Sequence, residues 1–277
     1  MPELPEVETI KKALEPVLVG RTFSGVRITD TRPVQKLSPD EFCSGLAGRK
    51  ITGLSRRGKY LMIGLSGGSN LIIHLRMTGA LLWNPGIEER FTRVEFFFDG
   101  GGRLIYTDVR RFGTMYLTAD PDEVVGKLGI EPLSRRFTPI ALAGMLKSHR
   151  LPVKSALLNQ ERIAGIGNMY ADEALFVAKI HPQQHADSLT IAQVNRLHGA
   201  IGKVLKQGIK NQGASVRNYR GPDGSKGRAH EEFCVAHREG RPCPVCGNPI
   251  KRIVVGQRGT YYCPRCQRQI INTNKES

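Results

Sequence analysis

The chain has 277 residues, enough for one large domain or two ordinary ones, and its 40% hydrophobic content is that of a globular protein. Its formal net charge of +16 is not typical of a folded domain and points to a polyanionic partner, either nucleic acid or an anionic membrane surface. No apolar stretch approaches the roughly 18 residues that span a bilayer, and no basic region followed by an apolar run opens the chain, so membrane-spanning and secreted classes are set aside and a cytosolic protein is expected.

The first eight residues, Met1-Pro2-Glu3-Leu4-Pro5-Glu6-Val7-Glu8, carry two readings. Pro5 suits the first turn of a helix, Glu6 and Glu8 suit its positive end, and Val7, Ile10, Leu14, Val17 and Leu18 follow at helical spacing. The same residues can also do chemistry. With Met1 removed, the chain begins with the secondary amine of Pro2. A free α-amine titrates at roughly 7.7–8.0, so part of it is unprotonated near neutral pH and can attack an aldehyde-level carbon to form an iminium. Glu3 and Glu6 lie beside it, and paired carboxylates can divide acid and base work.

From residue 22 to 120, short β-rich runs alternate with Gly, Pro and charged turns: Phe23–Ile28, Ile51–Leu54, Tyr60–Leu65, Asn70–Leu75, Arg93–Phe98 and Arg103–Thr107. Gly67-Gly68 and Gly100-Gly101-Gly102 read as hairpin loops, and the spacing suggests an antiparallel sandwich. Within this region Ser55–Tyr60 is basic and reads either as a solvated strand end or as a phosphate contact through Lys59. His74, between apolar residues, alone reads as a structural histidine, and Met77 and Phe112 as core. Residues 121–139 read as a linker. From Ile140 to about Lys210 the pattern is helical, as in Leu142–Leu146, Tyr170–Ala178 and Ile191–Lys206. Gly165-Ile-Gly-Asn168 enters one of these helices. Its backbone N–H groups suit a phosphate, and an ordinary helix cap explains it equally well. Residues 213–230, rich in Gly, read as a mobile loop.

The strongest local signal lies near the C-terminus. Cys243, Cys246, Cys263 and Cys266 give C-x2-C-x16-C-x2-C, which closes a tetrahedral four-thiolate site for one structural zinc ion. The intervening Ile250–Val255 and Thr260–Tyr262 alternate like strands around Gly256-Gln-Arg-Gly259, a zinc-stapled hairpin with Arg258 at its tip. Alone, Arg258 is an exposed turn arginine. Residues 203–277 carry 15 Lys and Arg against 5 Asp and Glu, making this quarter the best candidate for a phosphate-facing surface. Cys43 reads as a small buried hydrophobe, and Cys234 has no assigned role.

The opening segment, with Thr9 following, closely resembles the N-terminus of the bacterial formamidopyrimidine-DNA glycosylase family, repair enzymes that remove oxidised purines. The resemblance spans residues 2–270. It implies an α+β fold: an N-terminal antiparallel β-sandwich flanked by helices (1–120), the linker, a helix–two-turns–helix domain with a lesion-capping loop (140–230), and the zinc hairpin (231–277). It implies that Pro2 is the nucleophile and that Glu3 moves protons at the sugar, with Glu6 supporting. Lys59 and Arg258 join this catalytic set as phosphate contacts beside the lesion. By the same resemblance His74 assists Lys59, and Asn168 holds phosphate. Lys154 and Tyr170 lie near the lesion. Met77, Arg110 and Phe112 fill the hole left by a flipped base, with the arginine facing the orphaned cytosine. Thr78 follows Met77 where other members carry different residues, so no lesion contact is assigned to it. Arg217 and Tyr219 are named in the capping loop without transferred contacts.

The expected protein is a monomeric, cytoplasmic, bifunctional glycosylase and abasic-site lyase acting on double-stranded DNA with oxidised purines or abasic sites. One rival is the sister endonuclease VIII-like branch, which prefers oxidised pyrimidines; another is a non-catalytic zinc-ribbon nucleic-acid-binding protein. A metal-dependent nuclease is disfavoured because the four thiolates use up the metal.

Overall fold

Two residues set where the first helix starts. Pro5 sits in the first turn, where a missing N–H costs nothing, and Glu3 is the N-cap, its N–H donating to Glu6 Oε2 at 2.7 Å. The resulting α1 (Leu4–Leu18) buries Leu4, Val7, Ile10, Leu14 and Leu18 at helical spacing. In this computed structural model the described residues are 2–86, 89–147, 150–216 and 218–269; Met1 and Arg217 lie outside them.

The chain divides into two compact units, Met1–Lys127 with Gly208–His230, and Leu128–Gln207 with Glu231–Ser277. The first contains β1 (Phe23–Ile28), α2 (Pro39–Leu46), β2 (Ile51–Arg57), β3 (Tyr60–Leu65), β4 (Asn70–His74), β5 (Gly79–Trp83), β6 (Thr92–Phe98), β7 (Arg103–Asp108), β8 (Thr114–Thr118) and the short α3 (Asp122–Val125). The strands form two four-stranded antiparallel sheets, ordered β1-β6-β7-β5 and β2-β3-β4-β8. Residues of both sheets join one apolar core, for example Phe23, Phe96 and Leu81 with Leu61, Ile63 and Ile73. Helix α1 contributes Val7 and Ile10 to it, and α2 contributes Phe42 and Leu46. This is the expected sandwich flanked by helices.

Two strands and two helices were not expected from the sequence. β5 is an almost continuous apolar run, without the alternation that marks a half-buried strand, and β8 is only five residues long. α2 carries a capping box, Ser38 with Glu41, that marks its start. The 121–139 stretch expected as a linker contains α3 and the crossing from the first unit to the second.

The 208–230 segment, expected with the helical region, belongs to the first unit. Ala214 N–H donates to Glu6 Oε1 at 2.8 Å, and Tyr219 joins the apolar core. Farther along, Trp83 N–H donates to the Pro222 carbonyl, and Arg220 makes a two-point ion pair with Glu89 at 3.1 and 2.9 Å. Gly213 has a left-handed backbone, φ +80°, and a Cβ there would lie 2.8 Å from Glu6 Cγ. Only glycine fits both conditions.

The second unit holds α4 (Pro139–Lys147), α5 (Val153–Leu158), α6 (Asn168–Ala178) and α7 (Ile191–Lys210), the last carrying the 207/208 boundary, together with a hairpin of β9 (Lys251–Val255) and β10 (Arg258–Tyr262). Arg258 pairs with Val255 as the first residue of β10, so it flanks the hairpin turn and does not form its tip. The tip is Gly256-Gln257, with φ of +53° and +61°, the pair of left-handed residues that a two-residue type I′ turn demands. No helix among the described residues is long and apolar enough to cross a membrane.

Candidate functional site

In the first unit the N-terminal residues meet the β2–β3 turn. Pro2, Glu3 and Glu6 are all buried. Glu6 uses both carboxylate oxygens on backbone donors, Glu3 N–H and Ala214 N–H, so it anchors the head of α1 and is committed to that structural task. Next along the helix, Glu8 accepts from Arg56 Nε at 2.9 Å, and Arg56 Nη1 donates to the Gly58 carbonyl at 2.9 Å. That chain of contacts ties α1 to the turn carrying Lys59, which is itself largely buried.

His74 ends β4 directly across from Tyr60, its ring edge-on to the tyrosine at 4.4 Å. Its Nδ1 accepts from Arg76 N–H at 2.9 Å, so the ring proton sits on Nε2. Burial, then the positive charges of Arg76 and Lys59, hold the imidazole down to about 3, and it stays neutral across the physiological range.

Met77 comes together with Arg110 and Phe112, more than thirty residues on, on loops at one end of the sheet containing β5 and β7. Arg110 Nη1 lies 3.0 Å from Met77 Sδ, and its guanidinium carbon sits 4.7 Å from the Phe112 ring centre. Met77 is 41% and Phe112 50% exposed, so neither is the core residue that strand-flanked Met and Phe suggest. Behind them is the fully buried Asp108, not singled out in the sequence, which accepts from Tyr106 Oη–H and Gly113 N–H.

In the second unit Asn168 opens α6, its Nδ2 donating to the Gly259 carbonyl at 2.9 Å. Lys154, expected among the DNA contacts, is fully buried. Its ammonium lies 2.7 Å from Asp172 Oδ1, 2.8 Å from Thr260 Oγ1 and 3.2 Å from the Gly259 carbonyl. It holds β10 from behind, next to the exposed Arg258. Asp172 Oδ2 accepts from Tyr261 N–H at 3.1 Å; burial pushes this carboxyl up to about 7 against the pull of Lys154. Tyr170 is also buried, its ring edge-on to Phe233. The adjacent Glu173 accepts from the backbone N–H groups of Cys234, Val235 and Ala236 at 2.8–2.9 Å, which fixes the chain entering the cysteine unit. Neither acid was singled out in the sequence.

The Sγ atoms of Cys243, Cys246, Cys263 and Cys266 all lie within 4.8 Å of one another. A tetrahedral zinc with Zn–S bonds near 2.3 Å sets its sulfurs about 3.8 Å apart, and the 3.9 Å Cys243–Cys266 and 3.4 Å Cys246–Cys263 separations fit. Four thiolates fill every position, so the site is that of a structural ion. Buried Gln267 reinforces it, accepting from Cys263 N–H and donating to the Ile180 carbonyl, each at 2.9 Å. Cys43 is half-buried, not fully buried as expected; Cys234 packs half-buried against the cysteine cluster.

Three family models match in sequence: the formamidopyrimidine-DNA glycosylase N-terminal domain over residues 1–115, its H2TH (helix–two-turns–helix) domain over 128–220, and a zinc finger found in FPG and IleRS over 240–269. A formamidopyrimidine-DNA glycosylase of Chloroflexus aurantiacus is 48% identical over 274 residues, covering 96% of this chain and 98% of that one. A mutant Lactococcus lactis FPG in complex with Fapy-dG-containing DNA superposes with a TM-score of 0.90 at 36% identity, covering 97% of this chain and all of that one. The L. lactis Fpg complex with abasic-site DNA gives 0.89 at 36% identity, covering 96% and 100%. A stand-alone zinc ribbon would match only the last of the three models. The matches run from the proline-bearing N-terminus through the cysteine hairpin, and this chain belongs to the formamidopyrimidine-DNA glycosylase family.

Proposed function

We propose that this chain excises oxidised purines, 8-oxoguanine and formamidopyrimidines, from duplex DNA in base excision repair, as a glycosylase and abasic-site lyase whose nucleophile is the Pro2 amine. The observation that carries the reading is the buried Pro2-Glu3 start, held at the head of α1 by Glu6, in a chain matched by a family relative over 96% of its length.

With Met1 removed, the Pro2 nitrogen attacks the anomeric carbon as the glycosidic bond breaks. The purine leaves with the bonding pair and takes up a proton. The attacking nitrogen then loses its own proton and the sugar ring opens, with the pair of the ring C–O bond going to oxygen, which is protonated. Because proline is a secondary amine, the product is a cationic iminium. It acidifies the neighbouring C–H, and loss of that proton expels the 3′ phosphate. Loss of a further proton, from the sugar carbon bearing the ring oxygen, expels the 5′ phosphate, and water hydrolyses the iminium to release the sugar remnant from Pro2, leaving a one-nucleoside gap. Glu3 moves protons at the sugar, and neutral His74 donates through Nε2 beside Lys59. Lys59, Asn168 and Arg258 grip phosphates, so affinity falls steeply with salt. Met77, Arg110 and Phe112 fill the space of the flipped base. Cys243, Cys246, Cys263 and Cys266 hold zinc, which supplies folding energy to the hairpin. The protein works as a monomer in the bacterial cytosol.

The test is borohydride trapping on a duplex carrying 8-oxoguanine opposite cytosine, comparing a free Pro2 terminus with an N-terminally extended protein. An adduct on Pro2, absent from the extended protein, is the expected result. Tight binding without trapping, on this and on an abasic duplex, would overturn the reading in favour of a non-catalytic DNA-binding protein.

A further inference from the structure

Met77 and Arg110 stand on two neighbouring loops, 75–78 between β4 and β5 and 109–113 between β7 and β8. β5 and β7 pair with Gly79 opposite Asp108, which brings the loops side by side. What joins them is a short polar network. Thr78 Oγ1 accepts from Arg110 N–H at 3.0 Å and donates to Asp108 Oδ1. The same Oδ1 accepts from Arg110 N–H at 3.2 Å, while Oδ2 accepts from Gly113 N–H at 2.9 Å and Tyr106 Oη–H at 3.0 Å. The Asp108 carbonyl accepts from Arg93 Nε at 2.9 Å.

The backbone around this network has little room to adjust. Arg111 is left-handed, φ +60°, and a Cβ on Gly113 would lie 1.7 Å from Tyr106 Oη. A buried carboxylate holding both ends of a five-residue loop is a rigid mount, because each donor it releases would be left unpaired away from water. The Thr78 hydroxyl is the part of the mount that comes from the other loop. It faces inward, toward Asp108 and the Arg110 amide, and so serves the arginine and not the lesion.

We propose that Thr78 and Asp108 are a positioning pair that presets the Arg110 main chain for reading the base opposite the lesion, which makes Thr78 a determinant of opposite-base discrimination. The inference rests on the assignment of Arg110 to the orphaned base. An arginine reads a base through paired, directional hydrogen bonds, and such readers lose discrimination when their supporting contacts loosen by a fraction of an ångström. The hydroxyl of Thr78 is needed, and the methyl is not.

The experiment measures single-turnover excision of 8-oxoguanine opposite cytosine and opposite adenine, for wild type, T78V, T78S and R110A, with borohydride trapping on an abasic duplex run alongside. Valine keeps the shape of threonine and removes the hydroxyl; serine keeps the hydroxyl. The expected result is that T78V narrows the cytosine-to-adenine rate ratio by about tenfold, within the range carried by one bidentate base contact. T78S should keep the wild-type ratio, and both should trap on the abasic duplex within about twofold of wild type, since opposite-base reading is not part of the elimination chemistry. If T78V keeps the wild-type ratio while R110A loses it, Arg110 reads the base but the positioning pair is refuted. If T78S loses the ratio as fully as T78V, the hydroxyl is not the cause and the pair is likewise refuted. A wild-type ratio in R110A overturns the assignment of Arg110 itself, while trapping by the wild-type protein keeps the glycosylase reading standing.

Discussion

At the scale of single residues, environment decides role more than residue type does. His74, Lys59 and Lys154 are all basic in isolation, yet each is buried, and only the contacts around it say what it does. Because His74 titrates near 3 in the folded chain against 6.5 ordinarily, the unfolded chain binds more protons between those values. Its contribution to stability is therefore complete above about pH 6.5 and is lost progressively as pH falls toward 3. Urea unfolding at about pH 7.5 and pH 5 should show wild type losing on the order of 1–2 kcal/mol more than His74→Asn, which keeps an acceptor for Arg76 N–H without titrating. An equal loss in both proteins would place the titration elsewhere. Little of this was legible in the sequence. A histidine between isoleucine and leucine announces burial, but not the Tyr60 ring or the Lys59 charge. Lys154 misleads further, since lysine is among the residues least often found fully buried and so reads as surface. The role of Thr78 could not be seen, because its bonds to Asp108 and Arg110 join positions that only the pairing of β5 with β7 brings together.

At the scale of elements, the hairpin of β9 and β10 separates grip from mount. Arg258 is exposed at the start of β10, whereas Lys154 of α5, with Asn168 and Asp172 of α6, holds the strand at Gly259, Thr260 and Tyr261. Arg258→Ala should leave stability within about 0.5 kcal/mol and lower the slope of log affinity against log salt by about one phosphate contact. Lys154→Met strands Asp172 in the interior and should cost roughly 3–5 kcal/mol, part of it recovered when Asp172→Asn is added. Denaturant unfolding together with a salt titration of duplex binding separates the two, and the assignment fails if Lys154→Met is as stable as wild type. The elements most legible in sequence were those with strong punctuation: the proline-bearing start of α1, the cysteine pairs, and strands bounded by glycine. The short α5 and β8 and the continuously apolar β5 adjoin Pro152, Gly113 and Gly79, but their runs are too short or too uniformly apolar to show a period, and the tertiary packing that stabilises them has no local signature.

At the scale of the whole molecule, the sandwich and the cysteine hairpin differ in what sustains them. The sandwich has a large apolar core, while among the described residues the hairpin's cluster is Val235, Ile250 and the cysteines with Tyr261, packed on Phe176 of α6, too little to fold without a staple. Stripping zinc with a strong chelator should abolish duplex binding. It should leave the emission of Trp83, the chain's one tryptophan, unchanged, because that residue lies in the first unit. A shift in Trp83 emission on zinc removal would show that the units do not fold independently. The interleaving of the units also bears on how the protein is made. The amide that completes the Glu6 carboxylate belongs to Ala214, 208 residues downstream, and Tyr219 fills the same core. A ribosome that has released every strand of the sandwich has therefore not yet released the segment that finishes it. The segment bearing Pro2, Glu3 and Glu6 is therefore synthesised long before the residues that complete its surroundings.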